Sequence, residues 1–430
     1  MNICALATAR GGAIAVIRIS GPDAISIVDH FFIPSSKGKR LVDAKGQTLH
    51  YGAFSNSHGE AIDDVLVSIF RTPHSYTGEN STEISCHAST YIINTIIQTL
   101  IEGGCRQAKP GEFTQRAYMN GKMDLSQAEA VADVIASTNA AAHRMAMSQL
   151  RGNFSSELAV LREKLLHLTS LMELELDFAD HEELEFADRS ELKELTQTIL
   201  EKIQRLAKSF QLGNAIKNGV PVAIIGAPNV GKSTLLNALL NEDKAIVSDI
   251  QGTTRDLIED TVTLGDITFR FIDTAGIRHT DDKIEQLGID RSKKAAEKAH
   301  IIILMNEPGV DFPEIETRPE QTIIKITNKT PEFQALNGIG LEQLQKQLID
   351  AVPVAESDEF IVTSARHYEA LVNAQNSIQR VIDGMNMGIP TDLVSQDLRE
   401  CLEHLAEITG GQITTNEVLG NIFQHFCIGK

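Results

Sequence analysis

Val222-Ala223-Ile224-Ile225-Gly226-Ala227-Pro228-Asn229-Val230-Gly231-Lys232-Ser233-Thr234-Leu235-Leu236-Asn237-Ala238-Leu239-Leu240 decides the fold of the second half of the chain. The apolar run before Gly226 reads as a buried strand, and the Leu-rich run after Ser233 reads as a helix. Between them stands G-x-x-x-x-G-K-S. Its glycines let backbone N–H groups wrap a row of phosphates at the helix N-terminus, where the peptide dipoles also favour negative charge. Lys232 brings a positive charge to the outer phosphates, and the Ser233 hydroxyl suits a magnesium ion. The strand–loop–helix context makes this a nucleotide-binding loop, with Asn229, Val230, Gly231, Lys232, Ser233 and Thr234 as its contacts.

Further along, Ser248-Asp249-Ile250-Gln251-Gly252-Thr253-Thr254-Arg255-Asp256 is polar and turn-rich, and Thr254 can place a second hydroxyl on the metal. Thr261–Leu264, Gly265-Asp266 and Ile267–Ile272 read as a hairpin. It delivers Asp273-Thr274-Ala275-Gly276. There Asp273 can hold the metal through water, and the Gly276 N–H can sense a terminal phosphate. Contacts of that kind vanish on hydrolysis, which makes the segment a switch. Asn328-Lys329 follows the strand-like Thr322–Thr327 and begins an N-K-x-D base-reading motif. The carboxylate of that motif takes two hydrogen bonds from guanine that adenine cannot offer. Here its place is held by Pro331, which has no acceptor in its side chain, and Glu332 comes one step late.

The chain has 430 residues, which at about 150 residues per domain implies some three domains and a core that needs no disulfide. A net charge of -19 argues against a dedicated nucleic-acid clamp, since affinity for phosphate backbones comes mostly from Lys and Arg. Cys4, Cys86, Cys105, Cys401 and Cys427 are scattered, an odd set that reads as reduced thiols in a cytoplasm. Arg10 and Arg18 interrupt the apolar N-terminus, which reads as a strand and not a leader, and no window approaches the roughly 20 apolar residues of a membrane span.

Residues 1–120 mix β-like runs, such as Ala13–Ile17 and Val65–Phe70, with a helix over Ile92–Ile101, as in a small α+β domain. At Asp124 the period changes. Asp124 and Gln127 are spaced as a capping box. Val131, Val134 and Ile135, then Leu158, Leu161, Leu165 and Leu168, recur at helical spacing, and helix dominates to about Phe210. The acidic run from Glu173 to Glu185 reads as a solvated face, because its spacing gathers no compact metal cluster. Gly213–Gly219 reads as a linker. Helical spacing returns with Leu398, Leu402, Leu405 and Ile408, ended by Gly410-Gly411. The expected fold class is multidomain α/β plus all-α. An N-terminal α+β domain (1–120) is followed by a helical domain (121–212 and 354–430), interrupted by an inserted P-loop domain of Ras-like α/β type (219–353).

Ser75-Tyr76-Thr77-Gly78-Glu79, Pro110-Gly111-Glu112-Phe113-Thr114-Gln115-Arg116-Ala117, Asn120-Gly121-Lys122-Met123-Asp124-Leu125 and the terminal Phe426-Cys427-Ile428-Gly429-Lys430 join the P-loop, D-x-x-G-T-T-R-D, D-T-A-G and N-K. Together they resemble, from end to end, the bacterial tRNA-modification GTPase family known as MnmE or TrmE. The resemblance implies a folate-binding and dimerising N-terminal domain and a cytoplasmic homodimer. It also implies a heterotetramer with an FAD- and NADH-dependent partner of the MnmG or GidA type, the FAD lying on the partner alone. Together these install an aminomethyl or carboxymethylaminomethyl group on carbon 5 of wobble uridine in tRNA, using the one-carbon unit of 5,10-methylene- or 5-formyl-tetrahydrofolate. By motif position Arg18, Glu83, Lys122 and Lys430 match the folate contacts; on the residues alone each is an ordinary solvated charge. For Cys427 a place near the folate and a small buried hydrophobe are equally open.

Ile277 follows Gly276 where many GTPases carry a water-orienting Gln, and Ile can neither donate nor accept a proton. The resemblance implies that Glu285 fills the catalytic role through water. It also implies a potassium ion, held by Asn229, Ser248, Ile250 and Thr253, in place of an arginine finger. In the family a strand and an S-A-K-like loop follow N-K-x-D after a couple of dozen residues. Here Asn328 runs almost directly into Gln334-Ala335, so an edge strand is expected to be shortened or missing, while Ser364-Ala365-Arg366 belongs to the second helical segment. A GTP-over-ATP preference below that of related proteins follows. The competing readings are an MnmE-like scaffold with a disabled nucleotide site and a regulatory RNA-binding GTPase. Intact Lys232, Ser233, Thr254 and Asp273 weigh against the scaffold. The folate-type motifs and terminal C-I-G-K weigh against the regulator.

Overall fold

A run that alternates apolar and polar residues puts one side of a strand in the core. In β2 (Ile14–Ser20), Ala15, Ile17 and Ile19 are buried while Ile14 is open. The computed structural model describes residues 1–36, 40–178, 189–242, 260–272, 294–352 and 360–411, with 426 and 429. These form two compact units. The first is Met1–Ile135, Gln149–Ala159 and Leu405–Lys430, and the second is Ala136–Ser148 and Val160–His404.

The first unit is built on a seven-stranded sheet. Its strands are β1 (Asn2–Leu6), β2, β3 (Phe32–Pro34), β4 (Thr48–Ser55), β5 (Ala61–Phe70), β6 (Ser81–His87) and β7 (Cys105–Gln107), in the order β3-β4-β5-β6-β2-β1-β7. Neighbours are antiparallel except β1 and β7. Helices α1 (Ala24–Phe31) and α2 (Thr90–Glu102) lay Ile25, Val28, Ile93, Ile96 and Leu100 on the face that carries Ile17, Val67, Ile69 and Ile84. A smaller cluster of Ile3, Ala5, Ala108 and Phe113, joined by Tyr76, forms beside α3 (Glu112–Met119). Arg18 sits between the core positions of β2, beside this second cluster.

α4 (Leu125–Ala136) starts at the expected box: the Asp124 N–H donates to Gln127 Oε1 and the Gln127 N–H to Asp124 Oδ1, both at 2.9 Å. Its buried face is Leu125, Ala128 and Ala130. Val131 and Val134 are only half-buried and Ile135 is exposed, because small residues carry the closest packing here.

In the second unit a five-stranded sheet has the order β12-β11-β8-β10-β9. Its strands are β8 (Val220–Gly226), β9 (Asp260–Leu264), β10 (Ile267–Phe271), β11 (Ile301–Asn306) and β12 (Thr322–Thr327). All pairs are parallel except the β9–β10 hairpin. A parallel sheet is covered on both faces, which is why β8 and β11 are apolar without alternation. Ile224, Ile303 and Met305 pack with Leu235 and Leu239 of α8 (Lys232–Glu242) and Leu344 and Leu348 of α9 (Leu341–Asp350). Ala223, Ile225, Ile302 and Leu304 pack with Ala295 and Ala299 on the other side. Among the described residues the sheet ends at β12. Residues 328–340 hold only a Gln334–Ile339 bridge before α9, in place of a further strand.

α5 (Ala140–Leu150) meets the hairpin turn, where the Ala141 N–H donates to the Asp266 carbonyl at 3.1 Å. The remaining helices are α6 (Asn153–Phe178), α7 (Arg189–Asn218), α10 (Ala365–Met387) and α11 (Thr391–Thr409). The linker expected over Gly213–Gly219 is instead the last turn and a half of α7 up to Asn218. Gly213 is there for close approach: a Cβ on it would stand 2.1 Å from the Val362 carbonyl. Phe210 of α7 stacks on Tyr368 of α10 with ring centroids 4.6 Å apart. Ser364, as expected, belongs to the helical segment, at the N-terminus of α10. The acidic run from Glu173 to Glu185 lies outside the residues whose side chains are described.

Candidate functional sites

The loop after β8 occupies the C-terminal end of a parallel strand, where ligands of open α/β sheets collect. Asn229 and Gly231 both adopt left-handed backbone, with φ of 62° and 100°. A Cβ on Gly231 would lie 2.4 Å from Asn328 Nδ2, and one on Gly226 would lie 2.5 Å from the Met305 carbonyl. Glycine is therefore required at both places, because the β11 backbone presses on Gly226 and the Asn328 amide on a left-handed Gly231. α8 begins at Lys232, so the loop runs directly into a helix N-terminus, where the peptide dipoles favour an anion. Lys232 Nζ folds back to donate to the carbonyls of Gly226 (2.7 Å) and Ala227 (2.8 Å). Burial pulls its pKa down, and an anion in the cradle would compensate its charge. Ser233 and Thr234 are half-buried in the same turn.

Asn328 and Lys329, far along the sequence, are brought to this loop by β12. Asn328 Nδ2 donates to the Val230 carbonyl at 2.8 Å. Lys329 turns outward at a φ of 61° and pairs with Glu307 at 2.5 Å. The remaining expected contacts, Ser248–Thr254, Asp273–Gly276 and Glu285, lie outside the described residues, so the Mg and K ligand sets are represented here by Ser233 and Asn229 alone. Among the described residues there is no group of three or more His, Cys, Asp or Glu able to hold a metal ion. The metal donors expected among the described residues are a hydroxyl and an amide, which need further oxygen ligands to complete a hard-cation site.

In the first unit Arg18 and Glu83 stand directly opposite on β2 and β6 and form an ion pair at 2.8 Å. The Arg18 guanidinium lies 5.3 Å from the Tyr76 ring centroid and 5.7 Å from that of Phe113. Its Nη1 donates to the carbonyl of Gly429 at 3.3 Å, which brings that residue to the same patch. Gly429 has a φ of 97°, and a Cβ there would stand 2.2 Å from the Leu6 carbonyl. Lys122 is exposed and donates to the Pro73 carbonyl at 3.0 Å, apart from the Arg18–Glu83 pair in its contacts. Lys430 and Cys427 lie outside the described residues.

Sequence reading missed the network behind this patch. Glu112 is buried and accepts from Arg106, Arg116 and the Lys109 N–H, while Arg116 also reaches Glu79 at 2.9 Å. Glu79 in turn accepts from Ser20 Oγ at 2.7 Å. Burial alone would push the Glu112 carboxyl up. The Arg106 guanidinium, the Lys109 N–H and Arg116 outweigh it and hold the group below the usual carboxylate range. The signal available was the i,i+4 spacing of Glu112 and Arg116 in a helix.

A glycine-wrapped phosphate cradle at the end of a parallel strand, with helical segments before and after the sheet, defines a P-loop nucleoside triphosphatase inserted into a helical protein. Two family models match the chain. "GTP-binding protein TrmE N-terminus" covers residues 2–122 and "MnmE helical domain" covers 125–427. The chain is 55% identical over 460 positions to a tRNA modification GTPase MnmE of Parabacteroides distasonis, with all of both chains covered. It is 52% identical to one of Bacteroides fragilis and 49% identical to one of Flavobacterium johnsoniae, in each case over all of this chain and 99% of the relative. The chain belongs to the MnmE (TrmE) family.

Proposed function

We propose that this chain is a GTP-hydrolysing tRNA modification enzyme whose triphosphate lies in the Asn229–Thr234 loop. The observation that carries the reading is the cradle: left-handed Asn229 and Gly231, a lysine ammonium held on the loop's own carbonyls, and a helix that begins at Lys232. In this reading Lys232 leaves the Gly226 and Ala227 carbonyls for the outer phosphates. The loop N–H groups align the phosphate row, and Asn328 holds the Val230 carbonyl in place. Ser248–Thr254 and Asp273–Gly276 follow the terminal phosphate, and Glu285 orients the attacking water. Magnesium held by Ser233 and Thr254, and potassium held by Asn229, Ser248, Ile250 and Thr253, would supply positive charge to the phosphate oxygens.

The Arg18–Glu83 pair, flanked by the rings of Tyr76 and Phe113, suits a flat ring rich in N–H groups, as in a reduced folate. Arg18, Glu83, Lys122 and Lys430 would hold 5,10-methylene- or 5-formyl-tetrahydrofolate there. Two copies would pair through residues 1–120, with residues 121–212 and 354–430 as the helical domain around a 219–353 GTPase domain. An FAD-dependent partner of the MnmG type would complete the modification of wobble uridine in the cytoplasm. No helix among the described residues is long and apolar enough to cross a membrane.

Phosphate release from GTP, measured in potassium and in sodium, tests the first half. Release that disappears in Lys232→Ala and is faster in potassium is expected, and an equal rate in the variant would overturn the site. Nucleoside analysis of tRNA from cells lacking the protein tests the second half, with loss of the modified uridine expected.

A further inference from the structure

The base end of the nucleotide site is rebuilt in this chain. Asn328 is 5% exposed and both polar atoms of its side chain meet protein: Nδ2 donates to the Val230 carbonyl at 2.8 Å, and Oδ1 accepts the Ala335 N–H at 3.1 Å. Beyond it the chain closes on itself. The Thr330 N–H donates to the Phe333 carbonyl at 3.1 Å, and the Phe333 N–H to Thr330 Oγ1 at 3.1 Å. Gln334 and Ile339 then exchange both backbone hydrogen bonds, at 3.0 and 3.2 Å. Gly340, at a φ of 82°, turns directly into α9; a Cβ there would stand 2.7 Å from the Glu332 carbonyl. Residues 328–340 are thus a short, internally bonded loop in the space between two elements.

Guanine differs from adenine on one edge, where N1–H and the 2-amino group are both donors. Hypoxanthine keeps N1–H and lacks the amino group, so it isolates the second contact. A carboxylate is the side chain suited to read both donors at once. The loop's one carboxylate, Glu332, is exposed on the turn between Thr330 and Phe333. The neighbouring Glu307 is taken up by Lys329. Pro331 stands where the reading carboxylate belongs and offers no acceptor. We propose that this site does not read the 2-amino group of guanine, so that GTP and ITP are bound and hydrolysed alike and ATP is rejected only weakly.

This rests on the Lys232 loop being the nucleotide site. A site built around a hydrogen bond rejects the analogue lacking it by about 10⁴-fold or more, whereas shape alone reaches about 10²-fold. Asn328 in this account is a positioning residue: it ties the phosphate loop to Ala335 and touches no base donor.

The test is displacement of a fluorescent GDP from the full chain, with magnesium and potassium, by GTP, ITP and ATP. A GTP preference over ITP below about tenfold and over ATP below about a hundredfold is expected. A GTP-over-ITP ratio of tenfold or more overturns the inference while leaving the nucleotide site standing. Absence of any GDP signal that Lys232→Ala removes overturns the site, and the inference with it. Pro331→Asp restores a carboxylate at the reading position and should lift the GTP-over-ITP ratio above tenfold. An unchanged ratio in that variant also refutes the assignment.

Discussion

Glu112→Gln tests whether the P-G-E-F-T-Q-R-A box is a structural charge network. The Glu112 carboxylate is 8% exposed and accepts from both terminal nitrogens of Arg106, one at 2.7 Å, from Arg116 at 3.1 Å and from the Lys109 N–H at 2.9 Å. Each hydrogen bond to a charged group is worth about 1.5–3 kcal/mol, and breaking a buried pair costs about 3–5 kcal/mol. Two features moderate that figure. Arg106 is 36% exposed and regains water, and Arg116 keeps Glu79. The expected loss is therefore about 2–3 kcal/mol. A chain of two units has no single unfolding free energy, so the readout is local: hydrogen exchange of the α3 amides. At 1.4 kcal/mol per factor of ten they should exchange about 30- to 150-fold faster. The pH dependence follows from the sign of the shift. Because the folded pKa lies below the unfolded value near 4.5, the stabilisation is complete above that pH and fades as pH falls through the folded value. The gap between the two proteins should therefore close on acidification. Acceleration below about fivefold near neutral pH would refute the network's role.

Two further outcomes are expected. Burial holds the Lys232 pKa down in the free protein and a polyphosphate relieves it, so nucleotide binding at alkaline pH should take up protons. Calorimetry in two buffers of different ionisation enthalpy reads the uptake, and net release would contradict the placement of the lysine. Gly213→Ala forces a Cβ toward the Val362 backbone, which no rotamer relieves; a cost of about 2–3 kcal/mol, read as faster exchange in residues 360–364, is expected, and unchanged exchange would remove the packing role given to this glycine.

The sequence by itself determined the elements whose signals are local. Gly226 to Ser233, the Asp124–Gln127 box, the hairpin around Gly265-Asp266 and the strands at Val222–Ile225 and Thr322–Thr327 all follow from periodicity and turn chemistry over a few residues. So did the shortening after Lys329, because a missing strand is visible as missing length. What only the tertiary structure decided depends on groups far apart in the chain. Arg18 meets Glu83 through strand register, and meets the carbonyl of Gly429 from 411 residues along the chain. Glu112 is a buried acceptor because Arg106 and Arg116 converge on it from two elements. Gly213 lies inside a helix and not in a linker, and it is glycine because the Val362 carbonyl occupies the place of a side chain. A glycine's role is set by what lies against it, and a charge's by the dielectric and the partners around it; neither is written in its neighbours along the chain.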